Sequence, residues 1–279
     1  MDNTKFKLAG VMGSPVLQSR SPILHNYWLA KYGLKGAYGH FQVEPPNLEA
    51  AIRGLSALGL AGCNITQPHK VAALALMDVV DPVAQRMGAI NCIVVQEDGA
   101  LHGFNNDGYG YIQSLKDVKP DWRADDGPVL VLGAGGAARA VVLSLIDEGA
   151  REIRLTNRSI EKAQALAAGH EAIVKVVPWA ERNAAMDGAA LLVNTTNQGM
   201  YGQPPLDVVL DALPPSAMVS DAIYIPLETP LLAAARLRGH TTVNGLGMLL
   251  NQARPAFKAW FGVMPEITPE LKQAILATF

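Results

Sequence analysis

Cysteine is nearly absent from this chain of 279 residues: Cys63 and Cys92 are the only two, which excludes a framework of several disulfides and fits a reducing compartment. A metal centre built on cysteine is equally unsupported, and no metal is expected. No apolar run approaches the roughly 18 residues needed to span a bilayer, and the opening Met-Asp-Asn-Thr-Lys-Phe-Lys has no signal-peptide core. Charge is also sparse, at 17% of residues, and the formal net value of −2 argues against an extended nucleic-acid surface. The expectation is a soluble cytoplasmic protein with neither a membrane nor a nucleic acid as partner. Internal repeats and low-complexity segments are lacking too.

Apolar residues, by contrast, make up 49% of the chain and glycines number 26, a balance that suits tightly packed α/β layers. The length allows one large or two ordinary domains, and two is the reading preferred here. Periodicity and turn chemistry predict strands over Lys7–Met12, Tyr38–Val43 and Gly62–Thr66, with helices over Ile23–Tyr32, Leu48–Leu58 and from Pro68 toward Met77. Ala89–Gln96 and Ala100–Phe104 flank Glu97-Asp98-Gly99, a hairpin signal. This mixed α/β portion ends near Gly110, and Lys116–Pro128 reads as a connector. Beyond it, strands near residues 129–132, 152–156, 173–178, 191–194, 218–222 and 241–243 alternate with helices, which predicts a parallel Rossmann-type sheet covered on both faces. Helices over Met248–Phe261 and Pro269–Thr278 find no place in that sheet and are expected to return to the first domain. The division is therefore 1–110 with 246–279 for substrate, and 111–245 for a dinucleotide.

The dinucleotide reading starts at Val129-Leu130-Val131-Leu132, an apolar strand that runs into Gly133, Ala134, Gly135, Gly136 and Ala137 and out into a helix. Glycines there permit a tight turn and close backbone approach, and bare N–H groups at the helix start attract a pyrophosphate. An acidic residue at the end of the next strand would select NAD by holding the ribose hydroxyls. This chain has Asn157-Arg158-Ser159 instead, with Lys162 one turn on. Arg158 can give charge-assisted hydrogen bonds to a 2′-phosphate and stack on the adenine, so NADP is favoured over NAD. The bland alternative, solvated cations at a helix start, runs against the helix dipole.

Three polar groups upstream invite a small anionic substrate. Ser19 and Ser21 flank Arg20 before Pro22, where hydroxyls and N–H groups can meet a carboxylate, although Ser before Pro is also a common helix cap. Lys70 follows Asn64-Ile65-Thr66-Gln67-Pro68-His69 in the first turn of an expected helix, where a lysine is more often simply solvated. Asp107 in Asn105-Asn106-Asp107-Gly108 is a natural cap. Each alone reads as structural; the combination points to a site.

Taken in order, Gly13-Ser14-Pro15 through Ser19-Arg20-Ser21-Pro22-Ile23-Leu24-His25-Asn26, Asn64-Ile65-Thr66 with Pro68-His69-Lys70, Gly88-Ala89-Ile90-Asn91, Asn105 with Asp107-Gly108, Gly133-Ala134-Gly135-Gly136, Asn157-Arg158-Ser159, Tyr224-Ile225-Pro226 with Thr229-Pro230, and Gly247-Met248-Leu249 with Gln252-Ala253 resemble the shikimate/quinate dehydrogenase family from end to end. The resemblance implies an oxidoreductase of aromatic amino-acid and chorismate biosynthesis, with NADP-linked reversible reduction of 3-dehydroshikimate to shikimate in a cleft between two domains. It further implies that Ser19 and Ser21 bind the substrate carboxylate, that Thr66, Asn91, Asp107, Tyr224 and Gln252 contact ring hydroxyls or carboxylate, and that Lys70 is the acid/base; hydride transfer must accompany loss of the hydroxyl proton, a task Lys70 and Asp107 can share. Gly133–Ala137, Asn157–Lys162, Ala222 and Gly245 would line the cofactor. The chain is expected to act as a monomer or homodimer.

Several residues depart from the family pattern: Gln18, Gln67, Cys92, Asn106 and Asn197-Gln198. Gln67 and Asn106 lie beside substrate positions, so dual use of shikimate and quinate stays open. A catalytically silent dinucleotide-binding regulator is a second class of reading, disfavoured by the presence of Lys70 and Asp107. A folate or amino-acid dehydrogenase of similar two-domain order would have no need of the paired serines with Gln252.

Overall fold

The computed structural model describes residues 5–279, so the beginning of the first domain, drawn from sequence at residue 1, lies outside the described residues. The chain divides into two compact units, one made of the residues up to Asn106 with Leu250–Phe279 and the other of Asp107–Leu249.

The first unit contains β1 (Lys7–Gly13), α1 (Ser21–Lys31), β2 (Gly36–Gln42), α2 (Leu48–Ala57), β3 (Gly62–Ile65), β4 (Val79–Val80), α3 (Pro82–Met87), β5 (Cys92–Val95) and β6 (Leu101–Phe104). They form a six-stranded sheet in the order β2-β1-β3-β5-β6-β4. β1 runs parallel to both β2 and β3, whereas β5 is antiparallel to β3 and to β6. The expected hairpin is present, with Gln96 N donating to Ala100 O and Gly99 at φ +87° in the turn, a conformation suited to glycine. Because of these directions, the ends of β1, β3 and β6 and the start of β5 share one edge of the sheet.

The sequence predicts a continuous helix from Pro68 to Met77, and here the structure differs. Residues 68–71 form turns and only Ala72–Leu76 winds, as a short 3₁₀ helix. The reason is tertiary: the Lys70 carbonyl accepts from Ile90 N at 2.9 Å and the His69 ring contacts the Val43 carbonyl at 2.7 Å. Both interactions hold the segment against the residues that follow β2 and precede β5, so Lys70 sits in a turn and not in the first turn of a helix. The short α3, capped by Asp81 Oδ1 accepting from Val83 N, has no counterpart in the sequence reading.

An aromatic cluster closes this unit. His25 of α1 stacks on Tyr38 of β2 at 4.1 Å between ring centroids and packs against Trp28, Phe257 and Trp260. Its ring nitrogens find no hydrogen-bond partner among the described residues, and burial lowers its pKa from 6.5 to about 3. Between those values the unfolded chain binds a proton that the folded chain refuses, so this stability is complete above pH 6.5 and is lost as pH falls. From pH 7 to pH 5 the expected loss is about 2 kcal/mol. Urea unfolding at both pH values, followed by tryptophan emission, should show this loss in the wild type and a much flatter response in His25→Gln; equal slopes contradict the assignment.

The second unit begins with α4 (Asp107–Val118) and continues through β7 (Val129–Leu132), α5 (Gly136–Asp147), β8 (Ile153–Thr156), α6 (Ile160–Ala167), β9 (Val174–Val177), β10 (Leu191–Asn194), β11 (Met218–Asp221), α7 (Pro230–Leu237) and β12 (Thr241–Val243). The sequence reading ends the first portion near Gly110 and opens a connector at Lys116. In the structure α4 runs through that point, and its Tyr111, Ile112 and Leu115 are buried in the same core as Val129, Val131 and Ile153. Asp107 therefore belongs to the second unit.

All neighbouring strands of this sheet are parallel, in the order β12-β11-β10-β7-β8-β9. That is the doubly wound dinucleotide-binding order, with its reversal point between β7 and β10. Strands buried on both faces explain the unbroken apolar runs Val129–Leu132 and Leu191–Val193. α8 (Gly245–Phe261) begins in the second unit and passes into the first at Leu250; α9 (Pro269–Leu276) packs against α1, as expected of C-terminal helices that return.

Candidate active site

In the first unit the shared sheet edge gathers most of the polar residues singled out from sequence. Thr66 N donates to Met12 O, Ser14 N to Gln67 O, Ile65 N to Asn91 O, and Asn91 N to Phe104 O, which ties the four strand ends together. Asn91 is buried; its side-chain amide donates to Gln252 Oε1 at 3.4 Å and its Oδ1 accepts from Asn106 N at 2.9 Å. Asn64 Nδ2 donates to the Asn91 carbonyl at 2.9 Å, while Asn64 Oδ1 accepts from the Tyr38 hydroxyl at 2.6 Å. Ser21 is buried at the start of α1. Its N–H points to Ser19 Oγ at 3.3 Å. A polar chain thus connects Tyr38 to Gln252 through Asn64 and Asn91, buried over its first two bonds.

Neither Tyr38 nor Asn64 had been assigned a role from sequence. The alternation around Tyr38 marks it as core, and only the pairing of β1 with β2 and β3 places its hydroxyl against Asn64. Arg20 turns away from its serine neighbours, donating to the carbonyls of Gln18 and Thr278. Cys63 and Cys92 are fully buried and burial raises both pKa values, so both stay as thiols and add no nucleophile. Gln18 folds back on the Pro15 carbonyl and Gln67 is exposed. Lys70 and Gln252 are half-buried.

In the second unit a cleft of about 270 Å³ opens at the reversal point of the sheet, lined by Gly133, Ala134, Gly135, Asn157, Arg158, Ser159 and Lys162. Gly133 has φ +110°, and a Cβ there would lie 2.5 Å from Thr195 Oγ1. The turn itself requires that glycine. Gly135 and Gly136 are different: a Cβ on either meets nothing within 4 Å. The protein's own packing gives no reason for them, whereas close approach of a ligand to their amides does. Gly135 caps α5 without a side-chain partner, and no acidic residue stands in that helix's first turn. Those features suit an anion.

Arg158 is exposed at the end of β8 and Lys162 follows on α6; neither side chain makes an ion pair among the described residues. Asn157 donates to the Ser159 carbonyl, shaping the turn that presents Arg158. Gly136 and Ala137 open α5 behind the loop. Ala222 and Gly245 lie together at the ends of β11 and β12, where a Cβ on Gly245 would fall 2.1 Å from the Ala222 carbonyl oxygen. Asp107 and Tyr224 are half-buried residues of this second unit.

The cleft also contains Trp179, Thr195, Thr196, Asn197 and Gln198. Sequence reasoning assigned none of them to the nucleotide, and noticed Asn197-Gln198 only as a departure. The signal that finds Thr195 and Thr196 is strand order, since they leave β10 directly beside the glycine loop: Thr195 Oγ1 donates to the Leu132 carbonyl at 2.7 Å. Buried Asp221 steadies the neighbouring loops by accepting from Thr229 Oγ1, Ile223 N and Asn194 Nδ2. Burial raises its pKa, against the opposing pull of those three donors.

A parallel sheet in this order, with a bare glycine loop at its reversal point and unpaired cations beside it, defines an α/β dinucleotide-binding protein of the Rossmann type. Family models agree and go further: residues 11–93 match the shikimate dehydrogenase substrate binding domain, 116–201 match shikimate / quinate 5-dehydrogenase, and 245–276 match the shikimate 5′-dehydrogenase C-terminal domain. A curated relative from Rhodospirillum rubrum, shikimate dehydrogenase (NADP(+)), is 54% identical over 276 residues, covering 98% of each chain. The chain belongs to the shikimate dehydrogenase family. Among solved structures, shikimate 5-dehydrogenase from Thermus thermophilus in complex with NADP(H) and shikimate matches with a TM-score of 0.86 and 34% identity over 98% of this chain and all of that one. Quinate dehydrogenase from Corynebacterium glutamicum in complex with NAD matches with a TM-score of 0.89 and 30% identity, covering 98% and 99%. Within this chain no helix is long and apolar enough to cross a membrane, among the described residues.

Proposed function

We propose that this protein catalyses the NADP-linked interconversion of 3-dehydroshikimate and shikimate, working in the direction of reduction. The observation that carries the choice of nucleotide is Arg158, an unpaired cation on the cleft where an NAD-preferring site places an acid. Gly133–Ala137 hold the pyrophosphate, Asn157–Lys162 take the adenosine ribose and its 2′-phosphate, and Ala222 and Gly245 border the nicotinamide end. The bound nucleotide supplies the hydride.

The chain's own residues handle the substrate and its proton. Ser19 and Ser21 bind the carboxylate; Thr66, Asn91, Tyr224 and Gln252 orient the ring through its hydroxyls or carboxylate. Reduction of a carbonyl develops an alkoxide that must be protonated, and oxidation of the alcohol must remove that proton. Lys70 gives the proton in one direction and takes it in the other, with Asp107 assisting by holding the reacting hydroxyl. The chain Tyr38–Asn64–Asn91–Gln252 supports this reading, since side chains held by buried hydrogen bonds keep their geometry without ordering at each turnover.

A quinate-using activity is the specific alternative, favoured by the likeness to the C. glutamicum protein. Initial rates with shikimate and quinate, each against NADP and NAD, decide between them. The highest kcat/KM is expected with shikimate and NADP. Turnover confined to quinate and NAD would overturn the proposal, and nucleotide binding without turnover would leave a regulator.

A further inference from the structure

The cleft holds one large aromatic side chain, and the roles given above leave it unused. Trp179 stands two residues beyond the end of β9, and β9 pairs with β8 so that Val177 lies opposite Thr156. The segments that leave these two strands therefore emerge side by side: Asn157-Arg158 from one, Pro178-Trp179 from the other. Both contribute to the lining of the cleft.

Resting on the nucleotide reading above, we infer that Trp179 is the platform for the purine ring of the cofactor, and that recognition of the adenosine half is split between two residues. Arg158 reads the 2′-phosphate, and Trp179 reads the base. A flat indole offers dispersion and stacking to any purine, whatever the ribose carries. Its contribution must then be the same for NADP and for NAD, unlike that of Arg158.

The ring is set in place before any ligand arrives. The Arg182 guanidinium lies over it at 4.8 Å from the ring centroid, which covers one face. Arg182 is itself fixed, donating to the Trp179 carbonyl at 2.9 Å and to Asp207 O and Oδ2 at 2.7 and 2.6 Å. Trp179 is only partly buried: it packs at the margin of the apolar layer that contains Leu130 and Leu192 and borders the cleft. A prearranged aromatic surface loses little conformational freedom on binding.

Of the chain's four tryptophans, Trp28, Trp122 and Trp260 are buried in the cores, which makes Trp179 the fluorophore a nucleotide can reach. The test is titration of the wild type, Trp179→Phe, Trp179→Ala and Arg158→Ala with NADP, NAD and adenosine 2′,5′-bisphosphate, by tryptophan emission and by calorimetry. Wild-type emission should change with all three ligands, and the change should largely vanish in Trp179→Phe, whose ring still stacks and keeps each Kd within about threefold. Trp179→Ala should weaken NADP and NAD by the same factor, about tenfold. Arg158→Ala should weaken NADP alone. Near-normal calorimetric Kd values in Trp179→Ala, or a loss confined to NADP, would overturn the inference while leaving the nucleotide site intact. Failure of the wild type to bind any of the three ligands would remove the nucleotide reading, and this inference with it.

Discussion

Lys70→Ala is expected to lower kcat for shikimate oxidation by about 10²- to 10⁴-fold, the range over which a positioned acid/base accelerates proton transfer. KM for shikimate should move far less, because the carboxylate and ring contacts proposed for Ser19, Ser21, Thr66, Asn91 and Gln252 are left in place. Two anchors of the segment survive removal of the side chain, the Lys70 carbonyl bonded by Ile90 N and the His69 ring against Val43, and circular dichroism of the variant checks that the fold is kept. Lys70→Arg is the informative companion, since it keeps the positive charge but cannot give up its proton near neutral pH. If charge alone mattered, Arg would restore turnover; if proton transfer matters, it will not. A kcat for Lys70→Ala within about fivefold of wild type in steady-state assays removes Lys70 from the reaction.

The second large effect is on the nucleotide. Arg158→Ala should raise KM for NADP by about 10- to 100-fold, corresponding to the roughly 1.5–3 kcal/mol of a hydrogen bond to a charged group. KM for NAD should stay within about threefold, because NAD has no 2′-phosphate to lose. The effect on NADP should also shrink at high ionic strength, since Arg158 is exposed and its attraction is screened. Equal losses for the two nucleotides would mean that Arg158 serves the base or the turn and not the phosphate.

Much of this was legible before any coordinates. Strand Leu191–Asn194 lies where the apolar run places it, and the hairpin around Gly99 follows from Asp-Gly chemistry. These are local signals, strong because the residues that set them are adjacent in the chain. The segment after Pro68 was not legible. Its composition is helical, yet hydrogen bonds from Ile90 and to Val43, far off in sequence, hold it in turns. From the sequence, the helix that Asp107 opens reads as the close of the first portion, near Gly110; the burial of its Tyr111, Ile112 and Leu115 in one core with Val129 is a long-range property that the local residues do not show.

The chemistry divides in the same way. Taken alone, the sequence determined the residue types: a glycine loop after an apolar strand, a cation in place of an acid, paired serines, a lysine and an aspartate, all in an order that a known family shares. It could do so because those choices depend on what each side chain and backbone can do chemically. Which of them meet was decided by the tertiary structure alone. Parallel β1, β2 and β3 and antiparallel β5 bring Tyr38, Asn64 and Asn91 into one polar chain that ends on Gln252, and the pairing of β9 with β8 sets Trp179 beside Arg158 on the nucleotide cleft. Strand order and direction are long-range properties, fixed by how whole layers bury their apolar faces, and no local run of residues encodes them.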